Sequence, residues 1–277
     1  MNKTKIEWCD STWNPVTGCL HNCEYCYARG IANRFGGHTG IKIGVERKAI
    51  NNTTHYPFLD LLPEVEKPMQ VCTKDKSGKE RYAPYPYGFT PTLHRYRLDE
   101  PTKNKKPQNI FVCSMADIFG EWVPDEWIRE VFAACEKAPW HNYLFLTKNG
   151  SRYEQLGLLL DKDNYWYGTT RTGINRALEC GASDNKNIFL SLEPLLAPID
   201  NATLNAIELW NWVIIGCETG NRKSKVVPEK EWIDSIVKQC KEADVPVFMK
   251  DSLTKIMGEE NMLREFPQGL AKEAGNG

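Results

Sequence analysis

The sequence predicts an α/β fold, in the form of a closed or partial TIM-like (β/α) barrel of six to eight parallel strands. Short apolar runs of strand length recur along the chain, and most are rich in β-branched or aromatic residues. Helix-like stretches lie between several of these runs, and such alternation favours parallel pairing with right-handed crossovers. The 277 residues are enough for one barrel. We therefore expect a single domain over residues 1–277.

Eight apolar runs are the strand candidates. In chain order they are residues 11–16, 89–94, 109–114, 143–148, 165–170, 187–193, 212–218 and 245–250. The clearest helices are predicted over residues 124–137, which open with proline and acidic residues favoured in a first turn, and over residues 228–243, where apolar residues recur at helical spacing. An insertion dominated by Gly, Pro, Asn and Lys is expected at about residues 35–88, between the first helix and the second strand.

Composition and charge indicate an ordinary globular protein. The net charge of −1 gives no sign of attraction between the whole chain and a polyanion. The chain has neither a secretory leader nor an apolar run of about 18 residues, so we expect a cytoplasmic protein with no membrane partner. Ten cysteines in that setting indicate metal ligation or simple burial rather than disulfide bonds.

The most specific motif is the CxxxCxxC formed by Cys19, Cys23 and Cys26, where the first strand is predicted to end and the first helix to begin. Three thiolates leave a coordination position open. A 4Fe-4S cluster held in this way can bind S-adenosylmethionine at its open iron and cleave it reductively. Two alternatives stay open, a zinc site completed by His21 or Cys9 and a non-catalytic iron-sulfur module.

Charged and polar residues close most of the predicted strands. Because the carboxyl ends of barrel strands meet at one face, we expect these side chains to build a site that grips a zwitterionic ligand. They are Ser114 with Asp117, Thr147 with Lys148, Thr169 with Thr170, Ser191 with Glu193, Gly216 with Glu218, and Lys250 with Asp251.

A basic segment rich in aromatic residues covers residues 67–106, with ten Lys or Arg against four Asp or Glu. Cations that neutralise phosphates beside rings that stack on bases are what a single-stranded or flipped-out nucleic acid needs. Arg81, Arg95 and Arg97 are therefore candidates for nucleic-acid contacts. The alternative is a solvated insertion without a ligand.

The cysteine motif resembles the signature of the radical SAM superfamily. Further stretches, at residues 6–19, 114–119, 146–148, 191–196 and 216–220, resemble the three-Cys-motif radical-SAM-like family common in bacteriophages. Around the cysteines the sequence is also similar to spore photoproduct lyase. Two departures stand out: the spacing of the first two cysteines is more compact than in many phage members, and Leu93-His94-Arg95 stand where many radical SAM enzymes have Gly-Gly-Glu.

The resemblance implies roles for individual residues. Tyr25 would lie beside the adenine of S-adenosylmethionine, Ser114 or Asp117 would bind its amino group, and Lys148 its carboxylate. Glu193 and Glu218 are further candidates for holding this cofactor.

The resemblance also implies partners and a substrate. An external one-electron donor of the flavodoxin or ferredoxin type is expected, in the host cytoplasm if the protein is phage-encoded. The substrate would be a hypermodified thymidine or another nucleobase of phage DNA, rearranged by an isomerase or lyase. A peptide or small-metabolite substrate is the alternative.

Overall fold

The computed structural model of the chain describes residues 1–36, 48–50, 53–55, 62–74, 78, 80–157, 162–173, 187–220 and 222–270. The insertion predicted at about residues 35–88 therefore lies partly outside the described residues. Within the described part of the chain, no helix is both long and apolar enough to cross a membrane.

The strands of the described residues are mostly short. They are β1 (Asn2–Lys3), β2 (Ser11–Trp13), β3 (Val16–Thr17), β4 (Lys48–Ile50), β5 (Thr53–His55), β6 (Glu64–Val65), β7 (Gln70–Lys74), β8 (Glu80–Tyr82), β9 (Thr92–His94), β10 (Asn109–Val112), β11 (Asn142–Thr147), β12 (Tyr165–Thr170), β13 (Ile188–Leu192), β14 (Trp212–Ile215) and β15 (Val247–Met249). The helices are α1 (Tyr27–Phe35), α2 (Glu100–Lys103), α3 (Asp125–Glu136), α4 (Ser151–Gln155), α5 (Asn201–Asn205), α6 (Lys230–Glu242) and α7 (Thr254–Met257).

The largest sheet of the described residues has eight strands, in the order β1-β2-β10-β11-β12-β13-β14-β15. Each neighbouring pair from β10 to β15 is parallel, as in the alignment of Tyr143 with Tyr165. Six of the eight predicted strands lie in this parallel part. The α/β class and the mainly parallel sheet are thus confirmed.

Two details of the predicted barrel differ from the structure. The run at residues 89–94 yields β9, which lies in a separate three-stranded sheet, antiparallel to β3 and parallel to β6. The main sheet is also open, because β1 and β15 stand at its two ends and no pairing within the described residues joins them. An apolar run predicts a strand but not the strand with which it pairs. The prediction that residues 89–94 belong to the main sheet was wrong for that reason.

The chain divides into two compact units. Unit 1 comprises residues 1–2, 12–106 and 112–139, and unit 2 comprises residues 3–11, 107–111 and 140–277. Helix α3 of unit 1 is amphipathic, and it buries Trp127, Val131 and Cys135 among others. Unit 2 is built on an aromatic core in which Trp8, Trp166 and Trp212 pack together with neighbouring apolar residues. Burial of such large side chains is the main stabilising contribution to each unit.

Candidate functional site

The three cysteines of the motif lie in one segment of unit 1, residues 18–27, which we call the cysteine loop. The loop leaves β3 through Gly18, whose backbone N–H donates to the carbonyl of Met115 at 2.9 Å. Gly18 has φ +86°, and a Cβ atom there would stand 2.3 Å from the carbonyl oxygen of Thr90. Only glycine fits this backbone conformation and this approach. The start of the loop is therefore fixed by packing.

Backbone contacts hold the rest of the cysteine loop. The N–H of Cys19 donates to the carbonyl of Phe89 at 3.2 Å, and the N–H of Cys26 to the carbonyl of Cys23 at 3.3 Å. Helix α1 begins at the third cysteine, because the Sγ atom of Cys26 caps it by accepting from the N–H of Arg29 at 3.4 Å. The motif thus lies at a strand-to-helix turn, as its sequence position predicts.

The pKa of the Cys19 thiol reflects its burial and the negative charges around it. Burial is the largest cause that raises the pKa of the Cys19 thiol to about 12, and negative charge on Asp117, Cys23 and Cys26 contributes to this increase. A bound cation would offset this mutual repulsion, since thiolates ligate metals only after losing their protons. The chemistry of this donor set therefore fits an iron-sulfur cluster or zinc.

The three thiols of the cysteine loop are not arranged to ligate one metal ion in this structure. Within the residues that the structure describes, no three His, Cys, Asp or Glu side chains are arranged to hold a metal ion. Cys19, Cys23 and Cys26 are all half-buried and unbridged. Ligation would require their side chains to converge.

A partly buried polar contact joins the cysteine loop to the segment after β10. The Nε2 atom of His21 lies 2.7 Å from the Oδ2 atom of Asp117, and the side chain of Asp117 is only 9 % exposed. The Oδ1 atom of Asp117 accepts from the N–H of Phe119 at 3.1 Å. Asp117 therefore has protein partners for both oxygens. Sequence reasoning missed this pairing because the two residues are far apart in the chain.

Ser114 lies in the same region and is organised by Asn14. The Oδ1 atom of Asn14 accepts from the Oγ of Ser114 at 3.2 Å and from the N–H of Met115 at 2.9 Å. The hydroxyl of Tyr27 donates to the carbonyl of Ser114 at 2.8 Å. Tyr25 is half-buried in the cysteine loop. Unit 1 thus brings Ser114 and Asp117 together with the cysteine loop.

Unit 2 holds the other predicted strand-end residues, and two of these pair with each other. Glu193, after β13, forms an ion pair with Lys250, after β15. Glu7 lies 3.9 Å from the same ammonium group. Gly216 provides the space, because a Cβ atom there would lie 3.1 Å from Lys250 and 3.2 Å from Glu193. Of the charges expected to grip a ligand, Glu193 and Lys250 therefore neutralise each other in this structure.

Glu218 is buried at the end of β14 and is neutralised by Arg222. Its two carboxylate oxygens accept from the Nε and Nη2 atoms of Arg222, both at 2.7 Å. This bidentate pairing holds the pKa of Glu218 below its usual value. The sequence signal that could have revealed it is the arginine four residues later. Lys148 follows β11 and is half-buried.

The three arginines proposed for nucleic acid differ in their surroundings. Arg95 contacts the carboxylates of Glu64, Glu66 and Glu130, which raise the pKa of its guanidinium. Arg97 donates to the carbonyls of Asn14 at 2.9 Å and Pro84 at 2.8 Å. Arg81 is exposed and is followed by Tyr82, whose side chain is 56 % exposed. Among the three, Arg81 has the surroundings that best suit a phosphate contact.

Comparison with known families places the chain. Residues 3–262 match one family model, DUF5131, described as a protein of unknown function. The chain belongs to the DUF5131 family. No curated protein gave a significant match, and no solved structure did so either. The DUF5131 match includes the cysteine loop and all of the predicted strand-end residues.

Proposed function

We propose that this DUF5131 protein is a radical SAM enzyme, which binds a 4Fe-4S cluster through Cys19, Cys23 and Cys26 and cleaves S-adenosylmethionine reductively. The observation that carries the proposal is the placement of all three thiols on one loop at a strand-to-helix turn. That loop is fixed at Gly18 by close backbone packing. We infer that the open, mainly parallel sheet forms the wall of a partial (β/α) barrel.

A bound cluster would supply the electron that breaks a carbon–sulfur bond of S-adenosylmethionine. The residues of the chain would bind and orient the cofactor. The resemblance implies that Tyr25 would lie beside the adenine and that Lys148 would bind the carboxylate. Ser114 suits the amino group better than Asp117, because its hydroxyl proton goes to Asn14 and its oxygen lone pairs can accept from an ammonium.

In this proposal Glu193 and Glu218 are further residues that help to hold S-adenosylmethionine. Both carboxylates have cationic partners within unit 2, Lys250 and Arg222 respectively. The reaction needs one electron from outside, so we propose a flavodoxin- or ferredoxin-type partner. A reducing cytoplasm, of a host cell if the protein is phage-encoded, suits a protein that needs its thiols reduced.

The test is anaerobic reconstitution with iron and sulfide, followed by reduction and addition of S-adenosylmethionine. Formation of 5′-deoxyadenosine is measured in the wild type, in Cys23→Ala and in Cys9→Ala. We expect product in the wild type and in Cys9→Ala, and none in Cys23→Ala. A fully loaded, reduced cluster without product would indicate a non-catalytic iron-sulfur module, and binding of zinc alone would indicate a zinc site.

The substrate we propose is a nucleobase, such as a hypermodified thymidine that is isomerised in phage DNA. The exposed Arg81 and Tyr82 support this choice, since β8 presents a cation and an aromatic ring to solvent at consecutive positions, one on each face of the strand. A base within a duplex cannot enter a recessed site, so the probe is a single-stranded oligonucleotide. We expect its affinity to fall steeply with salt and to fall in Arg81→Ala.

The matched control is Arg95→Ala, because Arg95 is already neutralised by three carboxylates. Its removal is expected to leave oligonucleotide binding unchanged. An oligonucleotide affinity that does not change with salt concentration would refute the nucleic-acid proposal and favour a peptide or small metabolite as the substrate. An equal loss of affinity in both variants would show that Arg81 has no special role.

A further inference from the structure

We propose that His21 and Asp117 form a positioning pair that holds the segment between Cys19 and Cys23 in the conformation required for cluster binding. This inference rests on the proposed radical SAM function. The two side chains meet at 2.7 Å although they are 96 residues apart in the chain. His21 lies midway between two of the proposed ligands, so one contact positions both.

Asp117 is the anchored member of the pair. Its side chain is buried, and its second oxygen accepts from the N–H of Phe119. The segment that carries it is tied to β2, because the N–H of Cys113 donates to the carbonyl of Trp13 at 2.7 Å. The carboxylate therefore occupies a fixed place, against which the loop can be aligned.

His21 is the member that transmits this alignment to the loop. Its ring meets the ring of Trp122 edge to face, with centroids 4.8 Å apart, which sets the ring plane. The next residue, Asn22, has φ +57°, a left-handed turn that redirects the chain toward Cys23. With its Nε2 atom in contact with Asp117, His21 acts as a support for the loop rather than as a fourth ligand through that nitrogen.

Pairs of this kind have a known consequence for metal sites. Hydrogen-bonded groups that orient the ligands commonly change metal affinity by about 10- to 100-fold when they are removed. Here the pair acts on the loop that carries two ligands. We therefore expect its loss to weaken cluster retention while the rest of the chain stays folded.

The experiment measures how fast an iron chelator removes iron from the reconstituted protein under anaerobic conditions. His21→Ala and Asp117→Ala are expected to lose iron about tenfold faster than the wild type. The double variant should be no worse than either single variant, since the two residues act as one unit. His21→Gln should restore retention, because its side-chain amide can donate to Asp117 from a similar distance.

Asp200→Ala is the matched control. Asp200 also accepts a backbone N–H with its carboxylate, that of Thr203 at 2.9 Å, but it caps α5 in unit 2. Its removal should leave the iron-release rate unchanged. Thermal unfolding of each apoprotein verifies that every variant is folded at the assay temperature.

The outcomes separate the two proposals. A folded wild type that takes up no iron would refute the proposed function. A wild type that holds its cluster while His21→Ala and Asp117→Ala hold it equally well would refute the positioning pair alone. Additive losses in the double variant, or no rescue by glutamine, would also overturn it, since they would mean that His21 acts without Asp117.

Discussion

Replacing Gly18 with alanine tests whether backbone packing fixes the start of the cysteine loop. An L-residue at φ +86° carries a conformational cost of about 1–2 kcal/mol. The added Cβ atom would also stand 2.3 Å from a carbonyl oxygen and 2.7 Å from a second one, and such overpacking costs about 1–3 kcal/mol. We expect Gly18→Ala to lower the free energy of unfolding by about 2–5 kcal/mol.

Substitutions at two other glycines separate the conformational cost of a positive φ from the steric cost of the added Cβ atom. Gly88 has φ +62° but no atom within 4 Å of its virtual Cβ, so Gly88→Ala should cost only the conformational part, about 1–2 kcal/mol. Gly30 lies within α1, also with nothing within 4 Å. Gly30→Ala should stabilise the protein by about 0.5–1 kcal/mol, because alanine is the better helix former.

The assay is urea unfolding, with the midpoint compared at constant m value. If Gly18→Ala costs no more than Gly88→Ala, the contact with the backbone of Thr90 contributes nothing. The loop would then relax around a side chain, and the claim that packing fixes it would be refuted.

Three further predictions follow from the buried and paired charges. Arg222→Ala should lower the free energy of unfolding by about 3–5 kcal/mol at pH 7, because the buried Glu218 carboxylate loses its bidentate cation and keeps only the N–H of Val226 at 3.5 Å. In the wild type this stabilisation is present above the ordinary glutamate pKa of 4.5 and is lost as the pH falls through the lowered pKa. Burial, assisted by Arg97, lowers the pKa of His94 from 6.5 to about 2, so the contribution of His94 to the free energy of unfolding should fall by about 1.4 kcal/mol per pH unit below 6.5. Urea titrations of His94→Gln should show a dependence on pH that is less steep by that amount. Arg95→Ala should cost roughly 1–2 kcal/mol in the same measurement, since three partly exposed carboxylates lose their shared cation; an unchanged midpoint would show that these ion pairs do not stabilise unit 1.

The parallel strands of unit 2 were predictable because apolar runs of four to eight residues are typical of strands buried on both faces. Helix α3 was predictable from the proline and acidic residues that open it, and helix α6 because its apolar residues recur at helical spacing. The pairing of the strands was harder to predict from the sequence. Nothing in the run at residues 89–94 reveals that Leu93 lies opposite Val16 in a separate sheet.

Only the part of the candidate site whose residues are close together in the sequence was predictable. The cysteine loop was visible because its three thiols are close in sequence. The partners of Asp117, Glu193 and Arg95 were hidden, because each is brought in by the fold from 29 to 96 residues away. Side chains that look available to a ligand in the sequence can therefore be engaged within the folded chain.

The sulfur atom of Cys26 serves two purposes, because the proposed cluster ligand is also the cap of helix α1. Replacing this cysteine with alanine would remove both at once, and a lost cluster could then reflect an unwound helix. Serine separates them, since its hydroxyl oxygen is a preferred helix cap. Genetic dissection of the motif is therefore unambiguous at its third position only when the replacement keeps an acceptor atom on Cβ.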